Sequence, residues 1–147
     1  MLAVYVLLGA VATAGALRVR AHRGTRELRQ RERAGSILWG ATAREVAPTG
    51  RLRHSGALVV AGDRILRFEP GASSRKRGAE VREWRAGDVR VEIGPRRWDI
   101  AGVRYRVVTV TPSFGEDPVR YACVAIRGQD FPLAGVGPAP GAGRTPR

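Results

Sequence analysis

The sequence predicts a single-pass membrane protein: an N-terminal transmembrane α-helix and one mainly-β domain, a small antiparallel sandwich or partly open barrel. Three observations carry this. The first seventeen residues, MLAVYVLLGAVATAGAL, hold no charge. Residues 18–33, which follow, hold seven arginines and two glutamates. Further on, short apolar or alternating runs recur about every 8–15 residues between Gly-, Pro- and Asp-bearing turns, the rhythm of antiparallel sheet.

Residues 1–19 are assigned to the transmembrane helix. Seventeen helical residues rise about 26 Å, near the lower limit for a hydrocarbon core of about 30 Å. Val19 extends the apolar face, and Arg18 and Arg20 can snorkel to the headgroups. Two rivals remain open: a cleaved signal peptide, for which Ala14-Gly15-Ala16 is a small-residue cleavage pattern, and a buried helix of a soluble protein. A signal peptide needs positive charge before its apolar run, whereas here the charge follows. The positive-inside rule then places the N-terminus outside and the rest of the chain in the cytoplasm. Gly9 and Thr13, like Ala12 and Ala16, stand four apart, a spacing that lets helices approach in lipid and marks a candidate homodimer face.

The formal net charge of the 147 residues is +13, and all but one of the 26 basic side chains are arginine, Lys76 being the exception. Abundant Arg, Ala and Gly reflect GC-rich coding in part, but the excess over acidic residues calls for an anionic partner. Residues 20–34 form a basic juxtamembrane stalk with a helix expected from Thr25, as its cap, to Ala34. No apolar stripe runs along it. Its arginines serve as a topology signal or lie against anionic headgroups, each then contributing about 1 kcal/mol. Nucleic acid is an unlikely partner, because no aromatic residue stands among them to stack on bases.

The β domain is assigned to residues 35–133. Ser36–Gly40 is a short apolar patch, and Ala41–Val46 is either a turn of helix or a first strand. Ala57–Val60 and Arg64–Phe68, joined across Ala61-Gly62-Asp63, read as a hairpin. Pro70–Gly78 reads as a basic loop, Glu80–Trp84 as a short strand and Arg85–Asp88 as a turn. Val89–Ile93 alternates, and Gly94-Pro95 is expected to turn the chain. In Val103–Thr111, Val103, Tyr105 and Val107 are expected inward and Arg104 and Arg106 outward. Val119–Ile126 is a last strand, and Gln129–Leu133 is expected to pack across its end. Residues 134–147, rich in Gly and Pro, are expected to be a disordered tail.

Ser55–Pro70 and Trp84–Gly94 together resemble bacterial pleckstrin-homology-like and GRAM-type domains. Those modules carry a Gly-x-Leu followed by a hairpin that ends in a basic-apolar-Phe strand, then a turn with Asp and an alternating strand. The whole layout is similar to that of small actinobacterial proteins that join one anchor to such a domain. The resemblance implies a PH-like fold and a surface for lipid headgroups or proteins. It departs at the C-terminal side, where no helix reads after Arg127 to cap the barrel: either Phe131-Pro132-Leu133 plugs that end, or the fold is a related barrel.

No catalytic, cofactor-binding or metal site is expected. The two histidines, His22 and His54, stand in no metal-ligand spacing, and the single cysteine, Cys123, lies in an apolar run. Glu116-Asp117 reads as a solvated loop pair, and no phosphate loop or nucleophile motif occurs. The expected function is therefore a non-catalytic, membrane-anchored adaptor on the cytoplasmic face of the cell membrane. Its candidate contacts for anionic lipid or a membrane protein are Arg18, Arg20, Arg23 and Arg26 in the stalk. The basic loop adds Arg75, Lys76 and Arg77, and Arg96, Arg97 and Trp98 complete the set. The alternative is a structural subunit of a larger complex, assembled through the transmembrane helix.

Overall fold

Residue-by-residue alternation of burial governs the architecture. The computed structural model describes residues 23–98, 102–124 and 131–133. The transmembrane and dimer-face expectations and the expected tail fall outside these. Among the described residues no helix is long and apolar enough to cross a membrane. A helix over residues 23–33 (α1) precedes β1 (Trp39–Val46), β2 (Leu52–Val60) and β3 (Ile65–Pro70). Then come α2 (Ala72–Lys76), β4 (Arg82–Arg85), a 3-10 turn (Ala86–Asp88), β5 (Val89–Trp98), β6 (Arg104–Pro112) and β7 (Val119–Val124). The strands form one antiparallel sheet in the order β4-β3-β2-β1-β7-β6-β5, curled into a half-barrel.

The concave face is the core. In β1, Trp39, Ala41, Ala43 and Glu45 are buried, and they stand opposite Val60, Leu58 and Gly56 on one side and Tyr121 and Cys123 on the other. Period-two burial selects strand over helix for this segment, although Ala, Arg and Glu all favour helix. Small residues at 41, 43 and 56 let the sheet curl tightly. A Cβ on Gly56 would come within 2.8 Å of the Pro70 Cα and closer still to the Glu69 carbonyl, so β2 and β3 meet there only through glycine. Tyr121 stacks on Phe68 at 4.8 Å and meets Trp84 edge-on at 6.2 Å, while Trp39 meets Phe131 edge-on at 4.6 Å. Phe131 and Leu133 are both buried in this core.

Three sequence expectations need correction. Gly94-Pro95 does not turn the chain. It lies within β5 where the register to β6 shifts between Ile93 and Arg96, a bulge that tolerates the missing Pro N–H. The facing of β6 is the reverse of that expected. Val108 and Val110 are buried opposite Tyr121 and Val119, so Arg106 shares the concave face while Tyr105 and Val107 turn away. The doublet Val107-Val108 fits either phase, and pairing with Val91 and Ile93 of β5 decides it. Finally, Pro70–Gly78 is not a bare loop: it contains α2, whose wholly buried Ser74 accepts the Ser55 N–H at 2.9 Å.

Nor is the basic stalk free-standing. Helix α1 lies on the convex face, with Leu28 buried against Ile37 and Val59. That contact contributes about 1.5–3 kcal/mol. Arg31 donates to both carboxylate oxygens of Glu69 at 2.7 and 3.1 Å, and the Gly40 N–H donates to Glu32 at 2.9 Å. Thr25 lies inside the helix, which already includes Arg23, so it is not the cap. One leucine and two polar links hold the helix without an apolar stripe.

Candidate functional site

Beyond its bulge β5 stays paired with β6, and this sets the chemistry of the sheet's outer end. Arg96 stands opposite Arg106, Arg97 opposite Tyr105 and Trp98 opposite Arg104. Partners in an antiparallel pair share a face, so Arg96, Trp98, Arg104 and Arg106 line one side of the ribbon. The Arg104 guanidinium lies 4.6 Å over the Trp98 ring, which is 60% exposed. Arg106 is half-buried and donates from Nη1 to the Gly94 carbonyl at 3.3 Å, while its Nε is buried without a partner. The bulge carbonyl thus orients Arg106, and the indole orients Arg104.

Like charges directly opposite one another on a sheet are destabilising. Five arginines elsewhere have a carboxylate partner: Arg29 with Glu32, Arg31 with Glu69, Arg67 with Glu69 and Glu83, Arg82 with Glu45, Arg90 with Glu92. Among the described residues no carboxylate pairs with Arg96, Arg97, Arg104 or Arg106. Guanidinium groups present a planar fork of donors that matches phosphate or carboxylate oxygens two at a time. Chemically, this ladder can receive the oxygens of an anion.

The remaining sequence-predicted contacts lie elsewhere. Arg75, Lys76 and Arg77 sit on and just after α2, where Arg75 donates from Nε to the Pro70 carbonyl at 3.0 Å. They follow β3, five strands from β5 in the sheet order. Arg23 and Arg26 are exposed on α1, and Arg18 and Arg20 lie outside the described residues. The structure thus brings together only Arg96, Arg97 and Trp98 of the predicted set. It adds Arg104 and Arg106, which alternation along the sequence alone places as outward-facing strand residues. Their signal was present as a second basic pair at matching distance from the Gly94-Pro95 bulge, but reading it required the hairpin register.

A second feature has no mark in the sequence. Between β4 and the 112–118 loop run two adjoining hollows of about 390 and 460 Å³, which share Glu83, Trp84 and Glu116. Asp88 and Phe114 line one, Arg82 and Asp117 the other. Segments some thirty residues apart build this groove, so no local motif announces it. Among the described residues no group of three or more His, Cys, Asp or Glu side chains is placed to hold a metal. Cys123 is fully buried, and burial pushes its thiol up, away from thiolate chemistry. Comparison with protein-family models, curated proteins and solved structures finds no match to this chain.

Proposed function

We propose that this is a non-catalytic, membrane-tethered module that holds the arginine ladder of β5 and β6 against anionic groups at the cytoplasmic surface of the bilayer. The observation that carries the reading is the opposed pair Arg96–Arg106 beside the Trp98–Arg104 stack, three arginines on one side of the ribbon with no described carboxylate among them. Such an arrangement is unfavourable in isolation and favourable when an anion bridges it. An exposed indole beside guanidinium groups also suits the boundary between headgroups and acyl chains.

The tether supports the same reading. Only five residues separate the charge-free run from the start of the described helix at Arg23, a reach of about 20 Å at most. Because α1 is docked on the sheet, an anchor at residues 1–19 keeps the half-barrel close to the bilayer. The resemblance to PH-like and GRAM-type domains belongs to this proposal. The curled antiparallel sheet supports it at the level of a mainly-β half-barrel, with Phe131 and Leu133 buried in its core.

The test has two arms. Alkaline carbonate extraction of membranes should leave the full chain in the pellet, and release would remove the tether. In nanodiscs, hydrogen exchange of residues 96–98 and 104–106 should slow by about tenfold with anionic lipid and stay unchanged with zwitterionic lipid. Equal exchange in both would remove the lipid contact.

A further inference from the structure

We infer that the groove between β4 and the 112–118 loop is a docking site for an extended, arginine- or lysine-bearing segment of a partner protein, added as a strand to the outer edge of β4. This site is separate from the arginine ladder and takes a partner of opposite charge.

The edge is the first observation. Strand β4 ends the sheet order and pairs with β3 alone. Among the described residues no backbone group hydrogen-bonds to its other side. An uncovered edge offers a row of N–H and C=O groups that an extended peptide can satisfy by main-chain pairing.

The lining says which peptide. Glu83, Asp88, Glu116 and Asp117 face the groove against Arg82 and Arg85. Arg82 is drawn to the buried Glu45 at 3.4 Å and Glu83 is held by Arg67 at 2.7 Å, which leaves Asp88, Glu116 and Asp117 with only Arg85 against them and no described ion pair. In a chain of net charge +13 this is a local inversion of sign, complementary to a cation and repellent to phosphate. Phe114, 83% exposed at the loop tip beside Gly115 (φ 79°), and Trp84 on β4 supply aromatic surface. Guanidinium over an aromatic face is a pairing this chain already makes at Arg104 and Trp98. Behind Trp84 the Tyr121 hydroxyl lies in the core next to Arg82 and Glu45, so charged and polar groups reach this side of the core.

The experiment uses the full chain in non-ionic detergent and two fluorescein-labelled decapeptides, one alternating Arg and Val and one alternating Glu and Val, followed by anisotropy at low ionic strength. The Arg peptide should bind and the Glu peptide should not. The double variant Glu116→Lys, Asp117→Lys changes two exposed loop residues, and an unchanged melting temperature verifies its fold. It should lose about tenfold in affinity. An Arg peptide carrying N-methyl groups at alternate residues should lose at least as much, because it cannot complete the ladder. Arg96→Thr should bind the Arg peptide as the parent does, which separates this site from the arginine ladder. Equal binding of the Arg and Glu peptides, parental affinity in the double variant, or indifference to N-methylation would each overturn the inference.

Discussion

Replacing Arg96 by threonine should make the protein more stable and less able to hold anions. Arg96 is exposed on β5 directly opposite Arg106, whose Nη1 is committed to the Gly94 carbonyl. The change leaves that bond in place, supplies a good strand former and removes one of two facing positive charges. Facing like charges on a sheet cost about 0.2–1 kcal/mol, and partial exposure puts this pair near about 0.5 kcal/mol. For a domain of this size that is about 2–4 °C in melting temperature. The gain is electrostatic and should shrink in molar salt, where the Debye length falls to about 3 Å. Thermal unfolding of the full chain in non-ionic detergent, followed by circular dichroism at low and high salt, reads both quantities. The same variant should lose the lipid-dependent protection of residues 104–106. A lower melting temperature at low salt would refute the reasoning, since it would mean that Arg96 is compensated and the ladder is an ordinary structural array.

Gly56→Ala should cost about 3 kcal/mol or more, because the new methyl meets backbone of β3 that cannot move without breaking the ladder; denaturant titration reads the loss. Gly40→Ala should cost only about 1 kcal/mol, since its methyl meets the movable side-chain ends of Ile37 and Leu28 at 2.9 and 3.0 Å. The Arg31 guanidinium hydrogen-bonded to Glu69 holds that carboxyl below its ordinary value of 4.5. Its stabilisation is therefore complete above that value and lost as pH falls through the lower, folded one. An acid titration of stability should show this loss, and Glu69→Gln should abolish that portion of it. Cys123, buried and shifted away from thiolate, should react with a thiol reagent in the native protein only as fast as the protein opens, and fully once denatured.

Strands were legible where alternation was unbroken. The hairpin around Ala61–Arg64 and the run Val89–Ile93 form as their valines and isoleucines predict, and Phe131 and Leu133 pack into the core as their position after the last strand suggested. Local reading ran out where tertiary pairing overrides local preference. Trp39–Val46 is rich in helix formers yet lies at the middle of the sheet, between β2 and β7. Gly94-Pro95 carries a turn signal and is a bulge, because β6 continues alongside it. The facing of Arg106 depends on which of two adjacent valines enters the core, a choice made by β5 rather than by β6 itself. Half of the arginine ladder was therefore visible and half was not. The groove beside β4 was invisible, since its acidic residues come from three separate turns and strands.

The sheet order also divides the protein into two halves that differ in how they can assemble. Strands β1 to β4 form one meander of neighbours in sequence, and β5 to β7 form another; the ladder that joins them is Ala43–Val46 of β1 against Arg120–Cys123 of β7. Each meander closes through short connections and can form within microseconds to milliseconds. The joining ladder brings together segments more than seventy residues apart and must wait for both. Its long sequence separation makes it the costliest contact to close, and until it forms the middle strand is itself an open edge.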